Sequence, residues 1–473
     1  MLITYQLILF FFFLAFAWFS NKKIKNGVYG IIFLLPTYLV RFLLFGIPTT
    51  ALEIMIYILF VLWFLENRKN LDVSGGIKKF YKSDRLLFWG ISFLLVGVVL
   101  STVNSINLRT SLGIFKGWFV DPFLFFIIFT SEIKNQKQIT NTLMSFVLSG
   151  FAVALVGIAY AINNMFTFDG RLRAFYESPN YLAMYLAPAF LFAVYLFIFE
   201  KDFGKDTNRF EDDKKETLPF LSFRTDMRNT SAETKYHNVC LSTVKRFFSS
   251  ILSIQNDKKW QVVILLVILS AVFLTKSYGA ILGIAVALLC FLLKRYQNRN
   301  IQFFADNKKT LTTLVVVALV WFSFLTLQKY EQLVNAGERS SLASRFMIWD
   351  ASHEMLNDSP FFGIGPGTFQ QVYLNYQSRF SVPYLEWAVA EPHNTFLAFY
   401  LQSGLIGLVG FLLLLFWLLK KVRISDIIFL FLIYFFIHSL VDTLYWKNDL
   451  AMIFWLVVGG GFLSKEKQSD KNL

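Results

Sequence analysis

Cysteine, histidine and charge are all scarce in this chain. Its 473 residues include 2 cysteines, Cys240 and Cys290, far apart and without ligand spacing around either. That argues against a disulfide framework and a zinc site. The chain has 4 histidines, and His353-Glu354-Met355-Leu356-Asn357 lacks the second histidine of the zinc-protease signature. No metal and no cofactor is therefore expected. Charged residues make up 16% of the chain, well below the level usual for soluble domains. The net charge of +14 does not point to nucleic acid, because no basic domain stands apart and the Lys and Arg flank hydrophobic runs. Gly363-Ile364-Gly365-Pro366-Gly367 has no strand or βαβ context, so it is no dinucleotide fingerprint.

What the chain has instead is apolar length: 56% of its residues are hydrophobic and 18% aromatic. A helix needs about 20 apolar residues to cross the hydrocarbon core. Candidate spans fall near 2–20, 27–48, 50–65, 86–105, 111–130, 140–162, 181–199, 260–275, 279–293, 311–328, 404–419, 425–440 and 449–463. The first has no basic region before it and no small-x-small site after it, so we expect a retained helix rather than a signal peptide. The fold class expected is all-α: a polytopic integral membrane protein of about 12–13 transmembrane helices with one large outer loop.

Alternate connections set the orientation. The segments 21–26, 66–85, 131–138, 200–259, 294–310, 420–424 and 464–473 hold 34 of the 45 Lys and Arg. These sides should be cytoplasmic. The 200–259 insert is mixed in charge and poor in apolar residues, and reads as a flexible or weakly folded cytoplasmic loop. The outer side then carries 163–180, the turn at 275–279, the long loop 329–393 and the turn 441–448.

Unusual residues gather on that outer side. The long loop contains a short helical stretch with Arg345 and Trp349, then the turn-rich Pro360-Phe361-Phe362-Gly363-Ile364-Gly365-Pro366-Gly367. It ends in Glu391-Pro392-His393-Asn394, leaving His393 at the outer membrane surface. His438 and Asp442 stand one helical turn apart at an outer helix end, a spacing that favours a structural hydrogen bond. Arg41 and Glu53 flank an outer turn and are expected to pair. Lys116 and Asp121 lie in a span, where charge is costly unless paired or functional.

Glu391-Pro392-His393-Asn394-Thr395-Phe396-Leu397, followed by Gly404-Leu405-Ile406-Gly407-Leu408, resembles the signature of the O-antigen ligase and polymerase superfamily. Arg345 with Trp349 and Pro360-Phe361-Phe362-Gly363-Ile364-Gly365 is similar to that family's pattern before its large-loop histidine. Gly170-Arg171-Leu172-Arg173 with Ser178-Pro179-Asn180 resembles its arginine and Pro-Asn motif. The resemblance covers about 170 to 465, giving N-terminal transmembrane helices over 1–165 and a ligase-like region over 166–473. One departure is Ser277-Tyr278-Gly279, where the family often has Ser-Arg-Gly; Lys276 stands two residues before Tyr278.

The resemblance implies a metal-independent, inverting glycosyltransferase in the inner or plasma membrane, acting on its extracytoplasmic face in surface polysaccharide biosynthesis. Its donor would be an undecaprenyl-diphosphate-linked glycan and its acceptor a lipid, glycan or protein. It implies His393 as catalytic base, since imidazole exchanges protons near neutral pH. It also implies Arg345, Arg171, Arg173 and Lys276 as pyrophosphate-binding cations, with Tyr278 and Asp442 in support. A ligase, a polymerase and a protein O-oligosaccharyltransferase share these blocks. A lipid-linked glycan transporter or flippase is the alternative of another class. Against it, no matching halves are visible and the polar residues cluster at one face.

Overall fold

The computed structural model describes residues 2–44, 46–70, 72–207, 258–297, 341–376, 389–422 and 425–469. The span expected near 311–328, Cys240 and most of the 200–259 insert lie outside the described residues.

The chain is an all-α polytopic membrane protein. It opens with α1 (Leu2–Lys22) and the short α2 (Ile24–Phe33), then a 3-10 turn over Leu35–Leu39. Next comes a hairpin of β1 (Arg41–Leu44) and β2 (Ile47–Thr50), in the register Arg41↔Thr50. The span expected over 27–48 is thus not one helix. At 10 residues, α2 rises about 15 Å, half of a hydrocarbon core. Pro36 sits in the first turn of the 3-10 segment, where it withholds an amide from any continuing helix. Gly46, at φ 79°, turns the hairpin.

Then follow α3 (Ala51–Asn67), the surface helix α4 (Val73–Ser83), α5 (Arg85–Val103) and α6 (Leu108–Phe115). A π turn over Lys116–Val120 joins α6 to α7 (Asp121–Glu132). After α8 (Gln136–Ile162) and α9 (Pro179–Thr207) come α10 (Lys258–Leu274) and α11 (Tyr278–Gln297). The loop expected on the outer side carries α12 (Ser341–Asp358) and α13 (Phe369–Tyr376). The chain closes with α14 (Thr395–Lys421), α15 (Asp426–Ser439) and α16 (Asn448–Ser469). Among the described residues, 6 helices are long and apolar enough to cross a membrane: Arg85–Val103, Leu108–Glu132, Gln136–Ile162, Pro179–Phe199, Tyr278–Arg295 and Thr395–Lys421. Gln6–Lys22, Asp426–Ser439 and Asn448–Leu463 are shorter apolar helices.

In a lipid solvent, helices associate through close packing and interhelical hydrogen bonds, and small residues allow their backbones to approach. α5 and α14 meet this way. A Cβ on Gly97 would lie 2.1 Å from the Gly407 nitrogen, and one on Gly410 would lie 2.1 Å from the Leu94 nitrogen. At the far end of this pair, the Asp84 carboxylate accepts from Trp417 Nε1 at 2.7 Å and lies 3.7 Å from Lys421 Nζ.

α14 is broken at Gly404, whose φ of 68° and ψ of −179° leave the helical region. The outer loop supplies the backbone partners at this break. Ile364 N–H donates to the Leu401 carbonyl at 2.6 Å, and Leu405 N–H donates to the Phe361 carbonyl at 3.0 Å. Broken backbone at membrane depth is tolerated where protein satisfies it, as here.

On the same face as this loop, ion pairs close the bundle. Glu177 accepts from Arg41 at 2.9 Å and from Lys447 at 2.6 Å. Arg41 therefore does not pair with Glu53, as its position flanking the turn had suggested. Glu53 instead completes a capping box with Thr50 and lies 2.7 Å from Lys116 Nζ. That pairing accounts for a lysine inside a span.

Candidate functional site

Four connections and one helix deliver the site: the segment before α9, the α10–α11 turn, the approach to α14, the turn after α15, and α12. Asn394 caps α14, its side chain accepting from Leu397 N–H at 3.0 Å. The cap forces the chain to turn abruptly at His393, which sits at φ 50°. A non-glycine residue in that region is costly, and such strain concentrates at functional positions. The neighbouring Pro392 carbonyl accepts from Trp349 Nε1 at 2.9 Å, joining α12 to this corner.

His393 Nδ1 lies 3.1 Å from Asp442 Oδ1. The two differ in surroundings: the His393 side chain is 35% exposed and that of Asp442 only 3%. Asp442 Oδ2 also lies 3.8 Å from His438 Nε2, and His438 Nδ1 is 2.8 Å from the Tyr434 hydroxyl. Burial alone would raise the Asp442 carboxyl, but His393 and His438 beside it outweigh that and hold it well below the usual carboxylate range. An ionised Asp442 accepts from Nδ1–H and so fixes the tautomer in which Nε2 carries a lone pair. Nε2 makes no hydrogen bond among the described residues, and the ring is partly open to solvent. The arrangement can take up a proton at Nε2 while Asp442 stabilises the resulting imidazolium.

Cations surround this pair. Arg345 Nε donates to the Val441 carbonyl at 3.0 Å, one residue from Asp442. Arg171 is held from three sides. Its Nε donates to the Thr275 carbonyl at 2.8 Å, its Nη2 donates to Asn180 Oδ1, and Nη1 is 3.8 Å from Asp169. Burial lowers the Arg171 pKa, with Asp169 and Asp442 opposing and the like charge of Arg345 reinforcing the shift. Lys276 is exposed, at φ 49°, and its Nζ would lie 3.3 Å from a Cβ placed on Gly170. Tyr278 begins α11 within electrostatic reach of Arg171. The close packing of Gly279 against His438 and Val441 brings that helix end to the site.

The structure thus brings together Arg171, Lys276, Tyr278, Arg345, His393 and Asp442. Arg173 is exposed, and its side chain makes no hydrogen bond or ion pair among the described residues. The expected contact of His438 with Asp442 is present, though longer than a hydrogen bond. Sequence reasoning missed Thr395, whose hydroxyl links the Asp442 carbonyl to the Leu444 amide. It also missed Glu391, buried and accepting from Gln402 Nε2 at 2.6 Å, while Gln402 Oε1 accepts from Gly367 N–H at 2.7 Å. Glu391 and Gln402 are eleven residues apart, so no local pattern linked them.

Residues 263–412 match the family model for O-antigen ligase. That stretch is an O-antigen ligase domain. A search of curated proteins finds no match. The matched stretch contains Lys276, Tyr278, Arg345 and His393, while Arg171 and Asp442 fall outside it. Superfamily members are ligases or polymerases of the glycosyltransferase kind, acting on lipid-linked glycans and their acceptors.

Proposed function

We propose that this protein transfers a glycan from an undecaprenyl-diphosphate donor to an acceptor hydroxyl, with inversion and without a metal, in surface polysaccharide biosynthesis. The His393–Asp442 contact at 3.1 Å carries this reading. His393 Nε2 takes the proton of the acceptor hydroxyl as its oxygen forms a bond to the anomeric carbon. On the opposite side of that carbon, the bond to the diphosphate oxygen breaks and its electron pair leaves with polyprenyl diphosphate. Arg345, Arg171 and Lys276 meet the charge growing on that group. Two guanidiniums suit phosphate oxygens bidentately, whereas Lys276 contributes a point charge where the family often has arginine. Asp442 positions His393, and Tyr278 borders Arg171. Arg173, exposed and without a side-chain hydrogen bond or ion pair among the described residues, is not given the role we assign to Arg171.

The site belongs on the extracytoplasmic face of the plasma membrane, because the Lys- and Arg-rich connections lie on the other side. The deciding experiment is glycan transfer by wild type and His393→Ala in nanodiscs, with no metal added. Transfer by wild type but not by the folded variant supports the reading. Full transfer by His393→Ala removes His393 from catalysis. Movement of lipid-linked glycan across the bilayer without bond formation would mark a transporter. Lipid, glycan and protein acceptors offered in parallel separate ligase, polymerase and O-oligosaccharyltransferase.

A further inference from the structure

A polar cavity open to solvent lies at the opposite end of the bundle from the His393 cluster. It has a volume of about 650 Å³ and is lined by Lys22, Lys23, Lys25, Glu66, Glu132 and Gln138. Its position follows from α3, which starts near the site face at Glu53 and runs about 20 Å along the bundle to Glu66. The three segments that meet here, 21–25, 62–66 and 132–138, are distant in sequence.

The lining has two halves of opposite character. One is cationic, built on the α1–α2 junction with its three lysines. α2 begins here, and Lys23 at its N-cap gives no side-chain cap to the first-turn amides. The Asn26 amide donates to the Lys23 carbonyl at 2.9 Å, which leaves those of Ile24 and Lys25 at the helix start, where anions are attracted and lysines strengthen the field. The other half is anionic. Glu66 and Glu132 stand in the last turns of α3 and α7, where Glu66 acts on Glu132 as a like charge and Lys134 and Lys25 act on it in the opposite sense. Leu62 and the half-exposed Leu65 add apolar surface to the lining.

We propose that this cavity binds a zwitterionic phospholipid headgroup of the phosphoethanolamine class. The phosphate would rest on Lys22, Lys23, Lys25 and the α2 amides, and the ammonium on Glu66 and Glu132. Leu62 and Leu65 would meet the start of the acyl region. An anionic headgroup without an amine would leave the carboxylate pair facing no cation from the ligand, so the two-sided lining favours the zwitterion. The volume suits a small polar ligand with bound water.

The test is native mass spectrometry of the detergent-solubilised full chain, titrated separately with phosphatidylethanolamine and phosphatidylglycerol. Inorganic phosphate and glycerophosphoethanolamine serve as competitors. We expect phosphatidylethanolamine to bind at least about tenfold tighter than phosphatidylglycerol, a difference readily resolved in Kd. Glycerophosphoethanolamine should compete and inorganic phosphate should not. Lys23→Ala/Lys25→Ala should weaken both lipids. Glu66→Gln/Glu132→Gln should abolish the preference while keeping phosphatidylglycerol bound, which also shows that this variant is folded. Equal binding of the two lipids by wild type overturns the proposal. So does an unchanged preference in the glutamine variant, or displacement of lipid by inorganic phosphate alone.

Discussion

The Thr395 hydroxyl donates to the Asp442 carbonyl at 2.9 Å and accepts the Leu444 amide at 2.9 Å. One side chain in the first turn of α14 thus fixes the backbone on both sides of Thr443, next to the carboxylate that faces His393. Thr395→Val keeps the shape but leaves the buried Leu444 amide unsatisfied. We expect a loss of about 1–3 kcal/mol, read as a lower Tm in detergent, and a slower transfer rate from a displaced Asp442.

Asp442→Asn removes the anion that sets the His393 tautomer. Transfer should fall by about 10²-fold or more, in the range general-base loss produces, with donor binding measured separately and largely kept. The stability effect has a sign. The folded carboxyl lies below its ordinary 3.8, so its ionised form stabilises the fold at pH values above 3.8, and that contribution is lost as pH falls below it. Thermal melts of wild type and Asp442→Asn should therefore converge on acidification. Divergence there would contradict the assigned ionisation.

Glu391 has the reverse dependence. Burial pushes its carboxyl up from 4.5 to about 8, with the Gln402 hydrogen bond and Lys447 opposing. Between those values the folded chain holds a proton that the unfolded chain has released, so stability falls as pH rises through that window. Glu391→Gln retains an acceptor for Gln402 and cannot ionise. We expect its Tm to be flatter between pH 5 and 8 than that of wild type, checked by melts across this range in one buffer system.

Arg171→Ala and Arg173→Ala should separate sharply, although the residues are two apart. The first loses bonds to Thr275 and Asn180 beside Asp442, and we expect at least about tenfold slower transfer. The second should stay near wild type. Steady-state transfer rates at saturating acceptor decide it.

Gly404→Ala tests the break in α14. Its φ of 68° disfavours any Cβ, and the added atom would lie 2.5 Å from the Phe361 carbonyl oxygen. We expect destabilisation of more than about 1 kcal/mol, visible as lower Tm and reduced recovery from detergent.

Membrane residence and the long helices were legible because apolar runs of spanning length have few other uses. The run at 27–48 misled for a physical reason: apolar content alone does not distinguish a helix from the short helix, 3-10 turn and hairpin found there. Pro36 and Gly46 were the available signals. His393 and Arg345 were reached through local motifs, and Arg171 and Arg173 remained indistinguishable until the Thr275 and Asn180 contacts set Arg171 apart. Thr395 and Glu391 were illegible because their partners lie across the fold, and spacing encodes nothing about such contacts. The pairing of Arg41 with Glu177 rather than Glu53 is another choice that only the tertiary arrangement makes.

The join between the outer loop and the broken helix α14 is made by backbone groups, from Ile364 to Leu401 and from Leu405 to Phe361. Such a join is indifferent to most side chains at those four positions. Substitutions elsewhere in the loop can therefore change its surface while its mooring stays in register. The loop surface and the membrane bundle beneath it are in that respect separable.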